Sequence, residues 1–134
     1  MPSTITRLNP TTLPDAAKAG YAQISITEPG RLAFVSGQVA WPPNGGTIPD
    51  TIKAQTAVVV RNLRNALAAI GAGPQDIAQM RIYVVGLTHE SQTHAMEQIG
   101  TFLDGALPSI TGIGVSALAA PELLIEIEMT VSVP

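Results

Sequence analysis

Residues Leu123–Val133 read LLIEIEMTVSV, and this stretch decides the fold because its polar and apolar residues alternate. Side chains of a strand point to opposite faces in turn, so the alternation predicts a central strand with one face in the core. The apolar side carries Leu123, Ile125, Ile127, Met129, Val131 and Val133, and the other carries Leu124, Glu126, Glu128, Thr130 and Ser132. A charged group on a central strand needs either a partner or a function.

The composition predicts one domain over residues 1–134 that associates with copies of itself. The chain has 134 residues, 46% hydrophobic and 13% charged, where an average soluble domain has roughly 25% charged residues. This length is enough for one domain with a real core. So few charges cover a small monomer poorly, which favours burial of a large surface in a homo-oligomer.

Charge and cysteine content exclude several function classes. The seven lysines and arginines are scattered and the net charge is −3, so nucleic-acid binding has little electrostatic support. The chain has no cysteine, which excludes disulfides, thiolate nucleophiles and cysteine-based zinc sites. No apolar run reaches the ~18 residues of a membrane span and no signal-peptide pattern is present, so we expect a cytoplasmic protein without a membrane partner.

The remaining segments predict the element order (β)ββαβαββ. The predicted elements are a short edge strand Ile5–Leu8, a hairpin of Tyr21–Thr27 and Arg31–Ala40, a helix capped by Asp50 or Thr51 and running to about Ile70, a strand Met80–Val85, a helix Glu90–Leu103, an extended run Ser109–Leu118 and the final strand. This is an α+β fold with a mixed sheet. Two helices cover only one face of such a sheet, so the other face is expected to meet another subunit.

One glycine motif resembles a nucleotide-binding fingerprint but lacks its context. Gly112-Ile-Gly114-Val-Ser-Ala117 matches G-x-G-x-x-A, yet Pro121 and a strand follow where a helix is needed. We therefore expect these glycines to let the strand bend or approach another backbone closely.

The histidines, two glutamates and one glycine are the remaining candidates for a functional site. His89 and His94 are five residues apart, whereas a metal pair on a helix face needs four, so no metal site is predicted. Glu126 and Glu128 fit two readings, hydrogen-bonded interface carboxylates or an acid–base or water-positioning group in a cleft. Gly37, in the middle of a strand, indicates that some group, a ligand included, approaches its backbone.

Several fragments together resemble the Rid family (reactive intermediate deaminase, also called the YjgF family). They are FVSGQVA at Phe34–Ala40, Gln55-Thr56 with Asn62-Leu63, Gly71-Ala72, and IEIE at Ile125–Glu128, and the resemblance runs from about Tyr21 to Val133. It implies a chorismate-mutase-like protomer in a homotrimer with ligand clefts between subunits. Its best-known members hydrolyse 2-imino or 2-enamino acids to 2-keto acids and ammonia without metal or cofactor. Some members lack this activity, and older labels call others endoribonucleases.

Carried over residue by residue, the resemblance implies a site with one departure. Glu126 matches the carboxylate that holds the attacking water, Tyr21 the cleft tyrosine and Gly37 the glycine whose backbone lines the cleft. His94 falls loosely on a family asparagine. Ser36, beside Gly37, and Thr111, in the motif after Pro108, complete the candidate substrate-binding set.

The departure is Ile110, which stands where deaminase members have the arginine that grips the substrate carboxylate. Arginine offers a planar pair of donors and isoleucine offers none. A charged hydrogen bond is worth roughly 1.5–3 kcal/mol, so 2-imino acids should bind poorly unless Arg81 or Arg31 reaches the cleft.

Three hypotheses follow. The first is a divergent Rid-type hydrolase of an imine, enamine or related small carbonyl-derived compound, with Glu126 orienting water, Tyr21 hydrogen-bonding the substrate and Gly37 lining the floor. The second is a trimer that binds a small molecule without turning it over. The third, an RNA-cleaving activity, has the least support because of the acidic charge balance.

Overall fold

The computed structural model describes residues 4–134 and contains two sheets and two helices. The strands are β1 (Thr6–Leu8), β2 (Ile24–Ile26), β3 (Leu32–Gln38), β4 (Ile77–Val85), β5 (Ser109–Val115) and β6 (Ile125–Ser132), and the helices are α1 (Ile52–Ala69) and α2 (His89–Leu103). This matches the predicted (β)ββαβαββ order and the α+β class.

The larger sheet has the strand order β3-β6-β4-β5 and is mixed. Strand β6 lies between β3 and β4 and is antiparallel to both, whereas β4 and β5 are parallel. The prediction that Leu123–Val133 contains a central strand is confirmed, and β5 forms one edge of this sheet.

The two faces of the larger sheet differ in composition. On one face Ile125, Ile127, Met129 and Val131 are at most 2% exposed and pack with the apolar stripes of both helices. The face without helices carries Glu126, Glu128, Thr130 and Ser132 of β6 beside Phe34, which is 76% exposed.

The helices begin and end where the sequence provides caps. The Thr51 hydroxyl accepts a hydrogen bond from the Ala54 N–H at 3.1 Å, which satisfies a free amide of the first turn of α1. Gly71, at φ 67°, follows the end of that helix in the left-handed conformation that glycine tolerates.

The predicted hairpin of Tyr21–Thr27 with Arg31–Ala40 is wrong. Strand β2 covers only Ile24–Ile26 and pairs with β1, while β3 pairs with β6. Tertiary contacts draw this segment away, because the Ala22 N–H donates to the Pro108 carbonyl at 3.0 Å. The Arg7 guanidinium also donates to the carbonyls of Gln75 and Ile77, which holds the two-stranded sheet at the start of β4.

Candidate functional site

A β-bulge in β3 lies opposite the acidic part of β6. Val35 pairs with Met129 and Gln38 pairs with Ile127, so Ser36 and Gly37 together oppose the single residue Glu128. Such a bulge bends the strand and re-aims the side chains beside it. The FVSGQ segment is therefore irregular at the point where it meets the two glutamates.

The Glu126 side chain lies directly over the backbone of Gly37. A Cβ atom at residue 37 would collide with Oε2 of Glu126 and would lie 2.6 Å from its Cδ and 2.8 Å from its Cγ. Only glycine leaves room for this arrangement. Within residues 4–134 no hydrogen bond or ion pair engages the half-buried Glu126 carboxylate.

Glu128 has partners. The Tyr83 hydroxyl donates a hydrogen bond to Glu128 Oε1 at 2.5 Å, and Arg81 lies 3.5 Å from the same oxygen. The hydrogen bond to Glu128, with desolvation as a smaller contribution, raises the pKa of Tyr83 above its ordinary value of 10.0. The two glutamates thus share a face of β6 but only one of them is held by its neighbours.

Two side chains of α1 hold the chain on either side of this acid–glycine pair. The Gln55 amide, fully buried, accepts from the Leu124 N–H and donates to the Pro49 and Glu122 carbonyls at 2.8–2.9 Å. The Asn62 amide donates to the Trp41 carbonyl at 3.1 Å and to that of Val39 at 3.4 Å. These bonds position the segment before β6 and the segment after β3.

A cavity of about 640 Å³ lies on the other side of the sheet, between α2 and the edge strand β5. Tyr21 and Ile110 both line it, together with Gly112 of β5 and His89 of α2. Ile110 pairs with the buried Met80, so it lies on the helix-covered face. The candidate residues therefore form two half-sites, Glu126 with Gly37 and Tyr21 with Ile110, separated by the sheet within one chain.

The three other candidate residues do not line the cavity and lie at different places on the protein. Ser36 is exposed in the bulge, and Thr111 is exposed on the helix-free face because it pairs with Arg81. His94 lies on α2, where its Nε2 is 3.7 Å from Glu90, and it does not line the cavity within the part of the chain described.

Neither proposed substitute arginine lies beside Ile110. Arg81 pairs with Glu128 on the opposite face of the sheet. Arg31 directly precedes β3, which lies at the opposite edge of the sheet from β5, the strand of Ile110.

Two residues that line the cavity belong to no predicted site. His89 is exposed and lies at the edge of the cavity, on α2. Gly112 was expected to serve a bend or a close backbone approach, but a Cβ there would meet nothing within 4 Å. The sequence signal for the cavity is the missing side chain at Gly112, which leaves space beside α2, whereas the space at Gly114 is taken by Leu87.

The described residues contain neither a cluster of metal ligands nor a helix able to cross a membrane. Residues 4–134 hold no group of three or more histidine, aspartate or glutamate side chains arranged to bind a metal ion. In the same residues, neither helix combines the length and the apolar character that crossing a bilayer requires.

Comparison with known proteins identifies the family. Residues 12–133 match the family model described as Endoribonuclease L-PSP. A structure of a Rid-family protein of unknown function, YyfB from Yersinia pestis, is 38% identical, covers 96% of this chain and 98% of its own, and superposes with a TM-score of 0.89. A YjgF/YER057c/UK114-family structure from Mycobacterium tuberculosis is 28% identical over 97% of this chain and 100% of its own, with a TM-score of 0.64.

A further relative, Protein DfrA of Myxococcus xanthus, is 28% identical over 99 residues, which are 73% of this chain and 74% of that protein. The fold, together with these matches, defines a Rid-type α+β protein. The chain belongs to the Rid/YjgF family, the family of the Endoribonuclease L-PSP model.

Proposed function

We propose that this chain is one Rid-type domain over residues 1–134 that hydrolyses a small reactive imine or enamine to a carbonyl compound and ammonia. The observation that carries the proposal is the position of Glu126. Its carboxylate is half-buried over Gly37 and is not engaged by the rest of residues 4–134, whereas Glu128 is bonded to Tyr83. A carboxylate without a partner, beside a glycine backbone, is suited to hold a water molecule.

The proposed reaction needs one water and no redox step. The water oxygen bonds to the imine carbon while the C=N π electrons move to nitrogen, and Glu126 takes a proton from the water and passes it to that nitrogen. Glu126 then takes the hydroxyl proton of the resulting carbinolamine and passes it to the amino nitrogen. The C–N bond breaks, and ammonia leaves as the carbonyl forms. Tyr21 donates a hydrogen bond to the substrate, and the backbone at Gly37 lines the floor. No step calls for a cofactor.

The complete site is proposed to form between subunits of a homotrimer. Tyr21 and Ile110 face a cavity on the helix-covered side, and Glu126 lies on the other side, so a cleft holding all three needs a second copy of the chain. Leu32 and Phe34 are both exposed on the helix-free side of β3 and support burial against another subunit, since contiguous exposed apolar groups mark interfaces. A cytoplasmic location stays a prediction.

The test compares two neighbouring carboxylates. Semicarbazide traps an imine faster than it traps the carbonyl product, so enzymatic hydrolysis lowers the initial rate of semicarbazone formation. We expect Glu126→Gln to lower the catalysed rate by about 10²-fold, the scale of a lost acid–base group. Glu128→Gln is the matched control and should stay within about threefold of wild type, since glutamine still accepts from Tyr83.

Two outcomes contradict the proposal. Equal loss in both glutamate variants would mean that the helix-free face acts through its overall charge. Saturable binding of an imine-like ligand with no hydrolysis in any preparation would favour the non-catalytic trimer.

The family label gives RNA cleavage as another reading, and the charge balance argues against it. Ten acidic residues outnumber seven lysines and arginines, and phosphate contacts need clustered cations. Nuclease-free preparations should leave single-stranded RNA intact.

A further inference from the structure

The cavity beside β5 is large enough for a small organic molecule. Its volume of about 640 Å³ lies within the roughly 300–1,000 Å³ of typical ligand pockets. Ile82 and Val84 of β4 and Ile110 of β5 form an apolar floor, and the missing side chain at Gly112 leaves that floor open.

The opposite wall of the cavity is polar and comes from one stripe of α2. His89, Thr93 and Glu97 follow one another at a spacing of four, with Met96 beside them, so they project from one side of the helix. The buried residues of α2, such as Ile99, project from another side into the core. This second stripe is therefore available to a ligand.

The charges of the lining disfavour an anion. Among residues 4–134 no lysine or arginine lines the cavity, Glu97 is its one acidic residue, and His89 is its one basic residue. A carboxylate placed here would leave water for the methyl groups of Ile110 and would approach Glu97, and both changes cost free energy. An uncharged group avoids both costs, and a positively charged group avoids the repulsion by Glu97.

We infer that this cavity selects an imine that carries an apolar group and no carboxylate. The inference rests on the proposed function and names its substrate class. Such imines arise when a primary amine is oxidised, so an amine-oxidising reaction would supply the substrate. The hydrolysis is R–CH=NH plus water giving R–CHO plus ammonia.

Three probes of nearly equal size test the selectivity without any turnover. They are benzylamine, a cation, benzyl alcohol, which is neutral, and benzoate, an anion. Titration calorimetry with the full chain should show benzylamine and benzyl alcohol binding at least about tenfold more tightly than benzoate, the scale of one charged contact. Equal or tighter binding of benzoate would overturn the inference.

Variants then locate the binding. The series Gly112→Ala, Gly112→Val and Gly112→Leu enlarges the side chain at this position. Benzylamine binding should weaken progressively along the series, since the added side chain enters the open cavity. Gly100→Ala, a glycine change on α2 outside the cavity, is the control. Glu97→Gln should reduce the preference for benzylamine over benzyl alcohol, and Ile110→Arg should shift the preference towards benzoate. Unchanged benzylamine binding in Gly112→Leu would place the ligand elsewhere and refute the inference.

A turnover experiment separates failure of this inference from failure of the proposed function. An amine oxidase generates the imine of benzaldehyde, and an amino-acid oxidase generates 2-iminopropanoate, each with semicarbazide present. We expect faster hydrolysis of the first. If 2-iminopropanoate reacts faster, the substrate class is wrong and the proposed function stands. If benzylamine binds in the cavity but neither imine is hydrolysed, the proposed function fails.

Discussion

Glu126 and Glu128 are two residues apart on one strand face and have different surroundings. Tyr83 stands directly opposite Glu126 in the β4–β6 register, yet its hydroxyl reaches diagonally to Glu128. Arg81 adds an ion pair to the same carboxylate, but it is partly exposed and worth little by itself. At the scale of residues, this pairing leaves Glu126 as the glutamate of the two that no other group in residues 4–134 engages.

The first prediction concerns the close approach of Glu126 to Gly37. Gly37→Ala should force the Glu126 side chain into another rotamer, and activity should fall at least about tenfold, which corresponds to about 1.4 kcal/mol in the barrier. The stability cost of Gly37→Ala should shrink in a Glu126→Ala background, because the colliding atoms are then absent. A double-mutant cycle on the unfolding free energy measures this coupling, and a cost equal in both backgrounds would contradict the geometry.

The second prediction concerns the Tyr83 phenol. The chain has two tyrosines, so Tyr21→Phe leaves Tyr83 alone and its tyrosinate absorbance can be followed against pH. We expect a midpoint above 10.0, because the hydrogen bond to Glu128 raises this pKa, and a return towards 10.0 in Glu128→Ala, which removes the acceptor. A midpoint that does not respond to Glu128→Ala would remove the bond as its cause.

The same shift has a consequence for stability against pH. The folded chain holds the phenol proton more tightly than the unfolded chain does. The contribution of this bond is therefore fully present below pH 10.0 and is lost as the pH rises through the higher pKa of the folded state.

At the scale of elements, the residues that carried the family resemblance have identifiable structural tasks. Gln55 and Asn62 project from α1 and bond to main-chain groups beside β6 and β3. Gly71 takes a positive φ just after that helix. Helix α1 thus anchors the segments that precede Glu126 and follow Gly37, although neither amide touches the two half-sites.

The third prediction tests this anchoring. Gln55→Leu removes three hydrogen bonds and leaves the Leu124 N–H and two carbonyls without the partner they have now. We expect the free energy of unfolding to fall by about 3 kcal/mol, since each unsatisfied buried group costs roughly 1–3 kcal/mol and the loop can relax. Denaturant titration at fixed protein concentration measures it.

Gln98→Leu is the matched control for that experiment. Gln98 donates a single exposed bond to the Lys53 carbonyl at 2.7 Å, so its loss should cost less than about 1 kcal/mol. Similar losses in the two variants would mean that the Gln55 network adds nothing beyond one ordinary hydrogen bond.

At the scale of the whole molecule, the sheet separates the two half-sites. The acid and the glycine bulge lie on the helix-free face, and Tyr21 and Ile110 line the cavity beside the edge strand. A closed ring of identical chains brings one half-site of each copy to the other half-site of its neighbour, because every interface repeats. This arrangement is part of the proposed function.

The fourth prediction follows from that arrangement. Glu126→Gln damages one half-site and Gly112→Leu fills the other, so each variant alone should be nearly inactive. Unfolding and refolding an equal mixture should restore about a quarter of wild-type activity, because a random quarter of clefts joins two intact halves.

The outcome that would contradict the fourth prediction is a mixture as inactive as its parents, which would mean that each site lies within one chain. Light scattering on the wild type should give three times the 13.9 kDa chain mass. A particle of 13.9 kDa at micromolar concentration would remove the proposed cleft altogether.

The sequence by itself determined the element order, the central position of β6 and the core face of the sheet. The spacing of apolar residues and local caps such as Thr51 encode these three features. Both signals depend only on near neighbours along the chain. It also carried the family resemblance, although two partners of Gln55, Glu122 and Leu124, are distant in sequence.

Only the tertiary structure decided which strands pair, which glutamate is engaged and where Ile110 faces. A turn at residues 28–30 signals a reversal of the chain, but the partner of β2 depends on bonds to Pro108, 86 residues beyond Ala22. Likewise, the hydroxyl that engages Glu128 and the open space in front of Gly112 come from segments distant in sequence. Alternation assigns a side chain to a face, and it contains no information about which distant group that face will meet.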